Sequence, residues 1–215
     1  MSAFKLAGLQ PANVFAYFEE ICAIPHGSRN TKLISDYLAA FAKQQGLRYT
    51  QDQLNNVLIF KPGTAGYEDH APVILQGHMD MVCEKDATCP IDMDKEGLDV
   101  THDDRFVFAK GTTLGGDDGI AVAMMLAILD NPPEPHPAIE CLFTVSEETG
   151  LEGAWAFDPK AAGATARTMI NLDSEAEGVL TAGCSGGMFD SIDEAAAIVH
   201  SSGTTKGTHK PIPLS

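Results

Sequence analysis

Four short stretches hold the residues able to do chemistry: His78-Met-Asp80, Asp117-Asp118, Glu147-Glu148 and Asp173-Ser-Glu175. In a strand, residues i and i+2 share a face, so the His78 imidazole and the Asp80 carboxylate can meet. A carboxylate beside an imidazole fixes its tautomer and raises its basicity, a supporting role at metal sites. Adjacent acids such as Glu147 and Glu148 repel one another, and where half-buried each raises the other's pKa. A cation relieves that repulsion. One imidazole nitrogen with several carboxylates is a hard donor set that suits Zn²⁺ or Mn²⁺ better than copper or an iron–sulfur cluster. A carboxylate can also bridge two ions, and paired ions are a known hydrolytic device. Each stretch has a plainer reading by itself. His78 can be a satisfied strand-end histidine, Asp117 or Asp118 a helix N-cap, Ser146-Glu-Glu-Thr a solvated turn, and Asp173 a loop cap.

What distinguishes them is where the pattern puts them. The β-branched runs "NNVLIFKP" and "APVILQG" read as strands, as do "AIECLFTVS" and "ARTMINLDS". The last three run directly into His78, Glu147 and Asp173. "GTTLGG" delivers Asp117 and Asp118 to the start of the apolar helix "DDGIAVAMMLAILDN", where acids suit the helix dipole. Upstream, "QPANVFAYFEEICAI" puts Val14, Phe15, Phe18, Ile21 and Cys22 on one helical face, and "NTKLISDYLAAFAKQQG" does so with Leu33, Ile34, Tyr37, Leu38 and Phe41. "RFVFAKG" is extended, "LEGAWAFDP" is a short helix, and residues 83–104 carry no clear pattern. Helices alternating with buried strands predict an α/β fold, with a mostly parallel or mixed central sheet covered by helices on both faces. In such sheets ligands bind beyond the carboxyl ends of the strands. The expected division is a catalytic segment at 1–190 and a weakly structured tail at 191–215, rich in Ser, Gly, Thr, Lys and Pro.

Composition excludes several partners. The 215 residues are 44% hydrophobic, enough for a core, and carry 14 basic against 30 acidic residues, a formal net charge of −16. Neither nucleic acid nor an anionic membrane is attracted to such a field. No apolar run approaches the ~18 residues of a membrane span. Five cysteines without a Cys-x-x-Cys pair, behind an N-terminus lacking a secretory pattern, predict a reduced, cytoplasmic protein.

Other chemistries fit poorly. "GTTLGGDDG" has no Gly-Lys-Ser/Thr, and its two acids repel phosphate. Ser185 in "AGCSGGM" is not in a Gly-x-Ser-x-Gly elbow. Cys83 lies near His78 in sequence, but nothing orders a Cys–His pair. Cys141, Cys184, Trp155 and the helix methionines read as core.

"GHMDMV", "GTTLGGDDGIAVA", "TVSEETGLEGA" and "NLDSEAEG", in this order and spacing, resemble the M20 metallopeptidases, and among them the bacterial aminoacyl-histidine (Xaa-His) dipeptidases. "FEEICAIPHGSRNTKLISDYLAAFAKQQGL" adds to the narrower likeness, which runs over about residues 10 to 190. The resemblance implies a three-layer zinc-peptidase domain with two Zn²⁺, for which Mn²⁺ or Co²⁺ can substitute. It implies His78 and Asp173 on one ion, Asp117 bridging, and Glu148 on the second. Asp80 then supports His78, Glu147 is the general base, and the Asp117–Asp118 peptide is cis. The implied activity is hydrolysis of Xaa-His dipeptides by a metal-activated water. The implied partners are a small peptide and, in full-length relatives, a second copy of the chain.

Members of that family are longer, with a lid or dimerisation domain after this segment and a further histidine ligand from the far C-terminal part. His200 and His209 are the later histidines here, and His209 in "GTTKGTHKP" is a candidate. Two other functions stay open: a different M20 amidohydrolase (tripeptidase or acyl-amino-acid deacylase), and an inactive truncated remnant lacking the last metal ligand.

Overall fold

A computed structural model describes residues 4–174, 178–181 and 212–213. Residues 1–173 with 211–215 form one unit and 174–210 a second. The expected boundary near residue 190, and Glu175, Cys184, Ser185, His200 and His209, lie outside the described residues.

In chain order the elements are α1 (Ala12–Cys22), α2 (Lys32–Gln44), β1 (Arg48–Gln51), β2 (Val57–Lys61), β3 (Val73–His78), β4 (Val100–His102), β5 (Phe106–Ala109), α3 (Gly116–Asp130), β6 (Ile139–Thr144), α4 (Glu152–Ala156), α5 (Pro159–Ala162), β7 (Thr168–Asn171) and β8 (Ile212–Pro213). Five strands form a mixed sheet in the order β1-β2-β6-β3-β7. β1 with β2 and β2 with β6 are antiparallel, whereas β3 is parallel to both β6 and β7. β4, β5 and β8 make a smaller antiparallel sheet.

The side-chain period of two sorts the main sheet into two faces. Val57, Ile59, Cys141 and Phe143 pack with Phe18, Ile21, Ile34, Leu38, Val122 and Leu126 of α1, α2 and α3. Leu58, Phe60 and Leu142 point the other way, against Ile74, Phe157, Ala162 and Ala164 around α5. Every residue of β6 is buried, which is why its sequence is apolar apart from Glu140 and the terminal Thr144. Glu140 is buried at a satisfied site: its carboxylate accepts from the backbone N–H of Thr165 and Ala166 and from the Thr165 hydroxyl. The α/β class, the mixed sheet and the helices on both faces are as expected.

Some local expectations differ. Leu33 is 55% exposed and Trp155 74% exposed, so neither joins the core. Leu33 lies one residue outside the buried stripe of α2 formed by Ile34, Leu38 and Phe41, and Trp155 lies on the outer side of a helix only five residues long. β1 and α5 carry no apolar periodicity, because one is a mostly exposed edge strand and the other has no buried residue. Among the described residues no helix is long and apolar enough to cross a membrane.

Candidate metal centre

The register of the parallel strands brings three chain segments to one level. His78 pairs with Thr144, and Gln76 with Asn171. Two residues beyond Asn171, Asp173 therefore arrives at the height of His78. Three residues beyond Thr144 comes Glu147. The backbone continues the ladder past the strands, with Met79 N–H donating to Thr144 O and Leu172 N–H to Gln76 O, each at 2.8 Å.

α3 supplies the fourth segment in an unusual way. Its N-cap, Gly115, has φ 68°, in the left-handed region that favours glycine, and a Cβ there would meet the Met81 sulfur at 2.8 Å. Asp117 keeps non-helical φ/ψ (−87°, 109°), and the Asp117–Asp118 peptide is cis. Neither aspartate caps the helix. Asp117 instead projects into the cluster, its Oδ1 3.0 Å from His78 Nε2, while Asp118 is buried and its Oδ2 accepts the His78 backbone N–H at 3.2 Å.

The Glu147-Glu148 loop is held at both ends. Ser146 adopts φ 55°, which breaks strand alternation just before the pair. Both glutamates therefore reach the same neighbourhood rather than opposite sides of a strand. Leu151 N–H closes back onto Glu147 O at 3.1 Å, and Glu147 N–H donates to Asp80 Oδ1 at 3.1 Å.

Two donor sets result, sharing one histidine: His78 with Asp117 and Asp173, and His78 with Glu147 and Glu148, the ligand atoms of each lying within 4.8 Å of one another. His78 Nε2 is 4.0 Å from Asp173 Oδ2. The Nδ1 nitrogen lies 2.9 Å from the backbone oxygen of Asp80 and 3.5 Å from its carboxylate. A carbonyl oxygen only accepts, so Nδ1 carries the proton in the neutral ring and leaves the Nε2 lone pair for a cation. Asp80 thus orients His78 mainly through its main chain, with the carboxylate at longer range.

Electrostatics agree with a cation site. Burial opposes charge on His78, but its hydrogen bonds to Asp117 and Asp80 and the surrounding carboxylates outweigh it and push the imidazole up to about 11. Burial and the Asp117 charge push Glu148 up to about 7. Burial raises Glu147 too, and lifts buried Asp118 to about 8. The His78 hydrogen bond holds Asp117 below the usual carboxylate range. Burial works against ionisation of Asp80, yet donors from His78, Ser28 and the Glu147 N–H keep its carboxyl low. Carboxylates crowded enough to raise one another's pKa, around an imidazole whose Nε2 faces Asp117, fit a divalent cation such as Zn²⁺ that would take the place of the Nε2 proton.

Of the six residues expected at the site, His78, Asp117, Glu147, Glu148 and Asp173 lie in these donor sets, and Asp80 lies directly behind His78. Two contributors have no sequence signal of their own, and the role of a third, Asp118, differs from either sequence reading. Ser28 donates to Asp80 Oδ2 at 2.8 Å. Asn56, only 1% exposed, accepts the Val145 N–H and donates to Gly153 O, tying the two ends of the glutamate loop. Asp118, open in sequence to a reading as a helix N-cap or as a ligand, is instead buried beneath His78 and accepts its backbone N–H. Among the described residues the cysteines stay apart from this chemistry. Burial raises the Cys83 thiol, and Cys22 and Cys141 are buried thiols raised further by desolvation.

The chain resembles several known proteins. It is 40% identical over 184 residues to the cytosol non-specific dipeptidase of Escherichia coli strain K12, a match covering 86% of this chain and 38% of that protein. It superposes on the aminoacylhistidine dipeptidase of Vibrio alginolyticus with a TM-score of 0.76 and 38% identity, over 80% of this chain and 35% of that one. It superposes on the aminopeptidase PepT of Bacillus cereus with a TM-score of 0.62 and 25% identity, over 76% and 43% of the two chains. The chain therefore spans well under half the length of each of these relatives. A family model for peptidase family M28 matches residues 55–197, about two thirds of the sequence and all the strand ends described above. The chain belongs to peptidase family M28.

Proposed function

We propose that this chain carries the metal-binding part of a zinc-dependent dipeptidase that hydrolyses Xaa-His dipeptides. The observation that supports it most is the convergence of His78, Asp117, Asp173, Glu147 and Glu148 from four separate segments into two donor sets sharing His78. The four motifs resembling M20 metallopeptidases and the likeness to two dipeptidases support the narrower reading.

His78 through Nε2 and Asp173 would hold one Zn²⁺, Glu148 a second, and Asp117 both. When bound, such ions lower the pKa of water and polarise a peptide carbonyl. Glu147, half-buried beside these ligands, takes a proton from the attacking water at its carboxylate and hands it to the leaving amine. Burial already raises its proton affinity, which suits a group that must first accept and then release. Asp80 fixes the tautomer of His78. The substrate is a small peptide, and the name of the Escherichia coli relative, a cytosol dipeptidase, supports a cytoplasmic setting.

The test is hydrolysis by the purified chain loaded with zinc, using β-alanyl-histidine, a non-histidine dipeptide and a tripeptide. Histidine release from the first, abolished by Glu147→Ala, supports the proposal. Turnover of the others alone replaces Xaa-His specificity with another amidohydrolase activity. No turnover of any, with zinc bound, makes the chain a non-catalytic metal-binding segment.

A further inference from the structure

We propose that Ser28 is a positioning residue for the Asp80 carboxylate and, through it, for the Glu147 backbone and the His78 imidazole. This rests on the metallopeptidase reading above. Ser28 lies in the loop joining α1 to α2, far in sequence from every expected site residue. That loop is laid along the segment leaving β3. Met81 N–H donates to His26 O at 3.1 Å, Ser28 N–H donates to Met81 O at 3.2 Å, and Gly27 and Met81 form a parallel bridge. The approach is close enough that a Cβ on Gly27 would sit 2.6 Å from the Cys83 sulfur. A two-sided backbone zipper of this kind fixes where the Ser28 hydroxyl emerges.

It emerges at Asp80, 2.8 Å from Oδ2. Asp80 is only 1% exposed, so water contributes little to its solvation and protein donors must replace it. The two oxygens are divided. Oδ2 takes the Ser28 hydroxyl, whereas Oδ1 takes the Glu147 N–H at 3.1 Å and faces His78 Nδ1 at 3.5 Å. Rotating the carboxylate breaks at least one of these. With the Ser28 hydroxyl gone, Oδ2 loses its donor and the carboxylate turns to recover one, which slackens the Glu147 N–H on the other oxygen. The neighbouring tie from this loop, Arg29 to Glu152 at 2.8 Å, joins side chains 69% and 49% exposed and is screened by solvent. Ser28 is therefore the side-chain donor by which the loop holds the Asp80 carboxylate.

The experiment compares the whole chain with Ser28→Ala and Ser28→Thr, by amide hydrogen exchange without metal and by zinc affinity against a competing chelator. Ser28→Ala should speed exchange at the Glu147 amide by up to about tenfold, the worth of one hydrogen bond. Leu126 in α3 and Cys141 in β6 should be unchanged. Ser28→Thr, which keeps the hydroxyl, should restore the protection. Zinc affinity should fall about 10- to 100-fold in Ser28→Ala, as when a group orienting a ligand is lost. Unchanged exchange at Glu147, or an equal rise at Leu126 and Cys141, overturns the proposal, the second outcome meaning only general loosening. If the wild-type chain takes up no zinc, the metallopeptidase reading falls, and the exchange comparison still decides the role of Ser28.

Discussion

The buried carboxylate of Asp118 accepts the backbone N–H of His78 across 40 residues of sequence, and it reaches that N–H because residue 77 has no side chain. Gly77 is the penultimate residue of β3, buried beneath the start of α3. A Cβ there would lie 2.5 Å from Asp118 Oδ2 and 3.1 Å from the Ala121 Cβ.

Gly77→Ala should therefore push α3 away from the end of β3. Overpacking of this kind costs about 1–3 kcal/mol, and it should displace Asp117 together with Asp118, lowering zinc affinity. Urea unfolding and zinc titration of the variant check this. Wild-type values for both would mean that the close approach has slack.

Asn56 ties the glutamate loop from below: it accepts the Val145 N–H at 3.1 Å and donates to Gly153 O at 3.0 Å and Asp52 Oδ2 at 2.7 Å. Asn56→Ala removes the partner of the buried Val145 N–H and of the Gly153 carbonyl, at a cost of about 1–3 kcal/mol. Asn56→Asp should be worse near neutral pH, because it sets a carboxylate against the Gly153 carbonyl and the Asp52 carboxylate. The gap between the two variants should narrow on acidification, as the new carboxyl protonates. Denaturant melts at pH 7 and pH 5 measure it.

Burial holds the His26 imidazole below the ordinary histidine value of 6.5, with the Ile24 carbonyl and Asp80 opposing and His78 adding to the depression. Above 6.5 the ring is neutral folded and unfolded, so it adds no pH dependence. Below 6.5 the unfolded chain binds the proton first, and stability falls as pH drops toward the folded pKa. Metal-free His26→Gln should lose less stability than wild type between pH 7 and pH 5. Equal slopes in urea-melt series would show that His26 protonates freely in the folded state.

Much of this centre is legible in the sequence because strands end where their apolar runs end. The runs before His78, Glu147 and Asp173 fix three chain segments at the carboxyl edge, and the glycines before Asp117 signal a fourth. What sequence hides is contact between distant segments. Ser28 and Asn56 sit in loops with no periodicity, and their roles exist only once the loop around Ser28 lies along the segment leaving β3 and β2 pairs with β6. Trp155 is misjudged for a related reason: apolarity alone does not tell a core position from the outer side of a short helix. Asp118 and Asp117 are identical in type, and the burial that separates their roles is set by the approach of α3 to Gly77.

We propose that His78 and the carboxylates around it hold zinc, with Glu148 a ligand and Glu147 free to move a proton. Zinc content of the dialysed chain, measured for wild type, His78→Ala, Glu147→Ala and Glu148→Ala, tests it most directly. Zinc is expected in the wild type, with loss in His78→Ala, a reduced amount in Glu148→Ala and the wild-type amount in Glu147→Ala. A wild-type chain without zinc, or loss in Glu147→Ala with retention in Glu148→Ala, would contradict it.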